Sequence, residues 1–200
     1  MKSILLAASL LASTVLKAQD FSEYLKKGIE MMLAEDYKEA FYNFSKAHEY
    51  NPTDVETHYY LGEVKFKLGN AKGSMDSYNK AIELEPKYYK AFKGRGKLKA
   101  SLKDYRGSIS DFNIAIEIKP DFSNAYFDRG LSYFNVKKYK EAIDDFSKVI
   151  EFNPKDAEAY YARGNAKMKS GDINGGCMDW SKAGESGYIK VYELIRQNCN

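Results

Sequence analysis

The sequence predicts an all-α fold built from stacked antiparallel helix pairs. Three observations carry that prediction. The only prolines are Pro52, Pro86, Pro120 and Pro154, each 34 residues after the last. Columns of like residues recur at the same interval. The composition, 44% hydrophobic and 30% charged, suits a chain that forms a core rather than a disordered one. A fixed period of this length marks a repeat architecture, and the repeat then decides the fold.

With each proline at position 32 of a unit, units begin at Phe21, Val55, Tyr89, Ser123 and Ala157. Position 8 is then Gly28, Gly62, Gly96, Gly130 and Gly164. Position 20 is small throughout: Ala40, Ser74, Ser108, Ala142 and Gly176. Position 24 is aromatic throughout: Phe44, Tyr78, Phe112, Phe146 and Trp180. Position 27 is Ala47, Ala81, Ala115, Val149 and Ala183, and position 4 is Tyr24, His58, Phe92, Tyr126 and Tyr160. Positions 4, 8 and 11 share one helix face, and 20, 24 and 27 share another. Glycine opposite a small residue lets two helix backbones approach closely, with the aromatic filling the space beside that contact. Proline cannot continue a helix, so position 32 ends the second one.

This pattern resembles the tetratricopeptide repeat (TPR), in which each unit is a pair of antiparallel helices. The resemblance covers residues 21 to about 185. It implies a right-handed superhelical solenoid whose first helices line a concave groove for protein or peptide partners.

The elements follow in order. Helices are expected at 21–34 and 37–50, 55–68 and 71–84, 89–102 and 105–118, 123–136 and 139–152, and 157–170 and 173–185. They form repeats 21–54, 55–88, 89–122, 123–156 and 157–187 of one domain spanning 19–200, with no linker. The last unit has no proline at position 32. A turn at Gly184-Glu185-Ser186-Gly187 leads instead to an amphipathic helix over 188–198, with Val191, Leu194 and Ile195 inward. A terminal repeat needs such a cap with a polar outer side.

Residues 1–18 stand outside the repeat and read as a signal peptide. Lys2 gives a short positive start, Ile4 to Leu16 is apolar, and Ala18 precedes the expected cut before Gln19. The stretch is too short to persist as a membrane span. The alternative is a buried N-terminal helix. Lys2 and Lys17 would leave with the segment, so the net charge of +3 falls to +1, with 29 basic and 28 acidic residues. Export places the chain in the periplasm or outside the cell, with no stable membrane insertion after cleavage. A bacterial source suits the compact signal and the richness in Lys, Asn and Tyr; the alternative is the eukaryotic secretory pathway.

The cysteines, Cys177 and Cys199, are equidistant from the turn at residue 188. Antiparallel helices bring such residues together, and an oxidising compartment favours their pairing. The expected Cys177–Cys199 disulfide stabilises the cap by about 3 kcal/mol in the chain-entropy model. The alternative is a buried Cys177 and a free Cys199.

Position 7 is Arg95, Arg129 and Arg163 in repeats three to five, and position 23 is Asp111, Asp145 and Asp179 in the same repeats. Repeats one and two lack both partners, having Lys27 with Asn43 and Leu61 with Ser77. Arginine and aspartate thus come and go together, which predicts intra-repeat ion pairs. The alternative is an Arg row that holds an anionic ligand.

The resemblance assigns positions 2, 5, 9, 12 and 13 to the groove. These include Tyr59, Phe66, Phe127, Phe134 and Tyr161, around a basic centre in repeat three. There Lys90, Lys93 and Lys97 stand at i, i+3 and i+7 on one helix face. Such a groove suits an acidic peptide or a C-terminal carboxylate gripped by flanking aromatics. The plainer alternative is a solvated charged face. The carboxylate clamp that some family members use on chaperone tails is absent, since its positions, counted from repeat three, hold Lys93, Lys97, Asp128, Glu158 and Ala162.

Catalytic signals are missing. His48 and His58 have no Cys or paired carboxylate at ligand spacing, so no metal site is indicated. Gly94-Arg95-Gly96 is no phosphate loop, no serine sits in a nucleophile elbow, and the small net charge does not point to nucleic acid. The expectation is a non-catalytic interaction module without cofactors, an exported adaptor or assembly factor. Two other functions compete with it: an anionic-glycan or ligand binder using Lys90, Lys93 and Lys97, and a self-associating structural repeat.

Overall fold

The computed structural model describes residues 2–199, with side chains from residue 18 onward. All regular structure among them is helical: α1 (Lys2–Leu33), α2 (Tyr37–Tyr50), α3 (Val55–Lys67), α4 (Ala71–Leu84), α5 (Tyr89–Ser101), α6 (Tyr105–Ile118), α7 (Ser123–Asn135), α8 (Tyr139–Phe152), α9 (Ala157–Ser170), α10 (Ile173–Glu185) and α11 (Val191–Asn198). Two boundaries differ from expectation. Helix α1 begins at Lys2 rather than near residue 21, and the cap helix begins at Val191 rather than Tyr188. Apart from Ala18, the side chains of the expected signal segment lie outside the described residues.

The chain forms two compact units, Met1–Leu98 and Lys99–Asn200, which divide within α5. In the first, α1 packs on α2, α2 on α3, and α3 on α4. In the second, each helix from α6 to α11 packs on the next. Each unit is therefore a stack of helix hairpins.

The hairpins share one turn. Position 15 is left-handed every time: Glu35 (φ 58°), Gly69 (78°), Lys103 (64°), Lys137 (61°) and Gly171 (96°). Behind it the N–H of position 16 closes back on the carbonyl of position 11, as in Asp36 to Met31 at 2.9 Å and Asp172 to Lys167 at 3.0 Å. This is the helix-ending bond of a Schellman turn. Position 16 then starts the second helix. The side chains of Asp36, Asn70, Asp104 and Asp172 each accept a backbone N–H three residues on, at 2.9–3.1 Å. That satisfies one of the unpaired donors of the first helical turn. Repeat four has Lys138 there, with no side-chain cap.

The core runs along the position-24 rings. Phe44, Tyr78, Phe112 and Phe146 are fully buried and Trp180 is 5% exposed. The expected glycine contact exists in a tighter form. A Cβ added at Gly62 would lie 2.6 Å from the Tyr78 ring, and one at Gly130 2.8 Å from Phe146. The ring thus sits on the glycine itself rather than beside a backbone contact. In the last hairpin the backbones also meet, with the Gly176 carbonyl 3.1 Å from a Cβ built on Gly164.

The cap closes the second unit. Val191 is fully buried against Trp180 and Ala183. The Cys177 and Cys199 sulfurs are 1.98 Å apart, a disulfide distance, with Cα atoms at 5.8 Å.

The uncapped α8 provides a test. Lys138→Asp gains the side-chain cap of the other repeats and loses an exposed pair with Glu141 and a cation–π contact with the Tyr133 ring at 5.9 Å. It should raise unfolding free energy by about 1 kcal/mol in urea denaturation. No gain would mean that the position-16 caps do not set these helix starts.

Candidate functional site

The second unit holds an apolar cleft of about 130 Å³. Helix α7 contributes Phe127, Leu131 and Phe134, helix α9 contributes Tyr161, and Tyr188 closes it from the turn before α11. Phe127 and Leu131 are four apart and Leu131 and Phe134 three apart, so they form one stripe on α7. The Phe127 ring packs on Phe146 at 5.5 Å between centroids, and Tyr161 stacks on Tyr188 at 4.6 Å. Leu131 stays 40% exposed at the mouth.

Two polar residues, Glu158 and Asn165, line the same cleft. The orientation of Asn165 follows from chemistry. The Trp180 indole N–H can only donate, and it meets Asn165 Oδ1 at 3.0 Å. The amide nitrogen Nδ2 is left to donate to whatever enters the cleft. Repeat two repeats the device, with the Tyr78 hydroxyl donating to Glu63. Position 9 thus carries an acceptor in the two repeats whose position-24 ring carries a donor. Where the ring is phenylalanine, position 9 is Ile29, Lys97 or Leu131.

Of the residues expected in the groove, Phe127, Phe134 and Tyr161 come together here. Tyr59 and Phe66 lie in the first unit, partly buried against the Tyr78–Leu98 core. Tyr59 is walled by Tyr60 at 5.1 Å and Tyr88 at 5.8 Å, and burial pushes its hydroxyl above the usual tyrosine range. Lys90, Lys93 and Lys97 all project from α5. Lys90 and Lys93 are half-buried and Lys97 is exposed, and Lys90 Nζ lies 6.0 Å from the centre of the Tyr88 ring. Leu131 and Asn165 were visible as groove positions. Tyr188 was not, because it stands in the cap turn at position 32, where the other four repeats carry proline and no aromatic column points to it.

A polar ladder runs along another side of the hairpins. Arg129 forks onto Asp145 through Nε at 2.8 Å and Nη2 at 2.6 Å. Arg163 does the same to Asp179 at 2.8 and 2.7 Å. Each arginine also reaches back to position 25 of the preceding repeat: Arg95 to Asn79, Arg129 to Asn113 and Arg163 to Ser147. Position 11 adds a lysine, with Lys99 on Asp111 at 2.8 Å and Lys167 on Asp179 at 2.9 Å. The co-varying columns 7 and 23 do not name that lysine row, because position 11 is Met31 and Tyr133 in repeats one and four. Burial lifts the Asp145 carboxyl above its ordinary range against the pull of Arg129. The pair therefore positions hairpins more than it adds net stability.

No group of three or more metal-ligating side chains occurs among the described residues, and no described helix is long and apolar enough to cross a membrane.

The ladder makes a prediction. Arg129→Met strands a buried carboxylate and should cost about 3–5 kcal/mol, whereas Arg129→Met with Asp145→Leu should cost far less. Equal losses in chemical denaturation would contradict the pairing.

These features can be set beside known proteins. Two family models described as tetratricopeptide repeats match residues 31–96 and 123–156. No curated protein sequence matches the chain. Among solved structures, PilF of Pseudomonas aeruginosa is similar at a TM-score of 0.79 and 16% identity, over 90% of this chain and 86% of that one. MamA is similar at 0.72 and 22% identity, over 88% and 96%. YrrB, a TPR protein with an unusual peptide-binding site, is similar at 0.71 and 19% identity, over 86% and 90%. At these identities the structures speak for the fold alone. With the two family models and the five-fold residue columns, they establish that the chain is a tetratricopeptide repeat protein.

Proposed function

We propose that this protein is a peptide-binding interaction module whose binding site is the cleft between α7 and α9. The carrying observation is the combination of apolar walls with one fixed donor. Phe127, Leu131, Phe134 and Tyr161 offer burial to a bulky apolar side chain. Asn165 Nδ2, held in place by Trp180, offers a hydrogen bond to a peptide carbonyl. A few placed polar groups in an apolar pocket are what fix a ligand's orientation. The fold supports interaction with protein or peptide partners, and YrrB is a protein of this fold with a peptide-binding site.

The cleft carries the proposal better than the Lys90, Lys93 and Lys97 face. The cleft is walled by two helices and a turn, whereas the lysines are a row on one helix. The wider role is part of the same proposal: an exported, non-catalytic adaptor or assembly factor acting in the periplasm or outside the cell. The apolar stretch within residues 1–18 and the Cys177–Cys199 pair support the export half of that role.

The test is selection of peptides from a random phage-displayed library on the intact chain. Selected peptides should share a bulky apolar residue. Leu131→Asp alters an exposed position at the mouth and should weaken them at least tenfold, with Tyr161→Ala acting in the same direction. Selected peptides that bind both variants as well as the unaltered chain would overturn the assignment.

A further inference from the structure

The polar ladder is interrupted in repeat two, and the interruption makes a pocket. Position 7 is Leu61 in place of arginine, and position 23 is Ser77 in place of aspartate. Both side chains are shorter than those that fill this place in repeats four and five. A pocket of about 290 Å³ lies there, between α2, α3 and α4. That is far more than the roughly 10–15 Å³ that one water needs.

Phe41 and Leu61 give the pocket apolar wall, and its polar lining is mostly cationic or hydrogen-bonding. The ladder lysine is retained: Lys65 holds position 11, but its Nζ meets only the Ser77 hydroxyl, at 2.9 Å, where Lys99 and Lys167 meet an aspartate. Lys65 makes no ion pair among the described residues, and burial lowers its pKa against the more distant pull of Asp76. His48 and His58 enter from the adjoining helices with ring centres 4.9 Å apart. The His58 Nε2 faces the Pro52 carbonyl at 2.9 Å. His48 Nδ1 is buried with no partner. Ser45 hydrogen-bonds back to its own helix, and Lys80 stands at the rim, paired with Glu83. Asp76 is the one carboxylate lining the pocket. A half-buried ammonium without an adjacent counter-charge is a costly arrangement in a folded protein. An anion entering the pocket offsets that cost.

We infer that this pocket is a binding site for a small oxyanion, a phosphate or carboxylate group, held by Lys65 and Ser77. Lys65 supplies the charge that the missing aspartate leaves uncompensated. Ser77 accepts from Lys65 and keeps its own hydroxyl proton to donate. His48 and His58 form the inner wall. The site lies wholly in the first unit and is separate from the peptide cleft, so the two assignments stand or fall independently.

The chain contains two histidines, and both line this pocket, so their ring resonances report on it directly. The intact protein is titrated with inorganic phosphate, and separately with acetate, at ionic strength matched by sodium chloride. Saturable movement of both rings with either anion supports the site and shows which oxyanion it prefers. In Lys65→Met the affinity should fall at least tenfold. In Leu61→Arg with Ser77→Asp, which rebuilds the pair used in repeats four and five, the response should vanish while the helical signal is kept. Movement that is linear in both anions, equal in Lys65→Met, or reproduced by chloride would overturn the inference.

Discussion

In the first, second, fourth and fifth hairpins one aromatic ring packs onto one glycine, and the spacing of the two helices depends on that contact. Position 24 presents the ring and position 8 has no side chain to hold it away. At repeat two the ring is clamped from both sides. Cβ atoms built on Gly62 and Gly94 would come within 2.6 and 2.5 Å of Tyr78, which is fully buried. Close approach of the two helices then lets the small residues at positions 20 and 27 pack without voids. The turn, the caps and the ladder all work at the separation this contact sets. One hairpin alone leaves an apolar face uncovered, and stacking buries it.

Both proposed sites lie where the repeat is broken. The cleft in the second unit is closed by Tyr188, which stands in the cap turn at the position where the other repeats carry proline. Its polar group is oriented because repeat five carries tryptophan where other repeats carry phenylalanine or tyrosine. The pocket in the first unit exists because repeat two lacks the arginine and the aspartate that repeats four and five pair. Columns that stay constant build the scaffold, and columns that change make the cleft and the pocket.

Much of this was legible in the sequence. The spacing of Pro52, Pro86, Pro120 and Pro154 located ten helices of the five repeats, because proline and the turn residues act locally on the backbone. The pairing of Arg129 with Asp145 and Arg163 with Asp179 was legible because both columns change together. Other features depend on three-dimensional neighbours that no column names. Lys167 shares the Asp179 carboxylate with Arg163, and Tyr188 stacks on Tyr161 from the position where the other repeats carry proline. The upstream run of α1 from Lys2 lies outside the repeat pattern, and strong helix formers such as Leu and Ala suit a targeting segment and a helix alike. In the sequence, Leu61 and Ser77 show only as a lack of partners. Only the packing of α2 and α4 around it shows that the lack is a pocket.

The most direct measurement of the central claim is the unfolding free energy of Gly62→Ala. Helix propensity alone favours alanine by about 1 kcal/mol at such a position. The added methyl meets the clamped Tyr78 ring, and overpacking of that kind typically costs about 1–3 kcal/mol. The account predicts a variant that is less stable than the unaltered chain. A variant of equal or greater stability would show that the ring-on-glycine contact does not set the spacing of the hairpin.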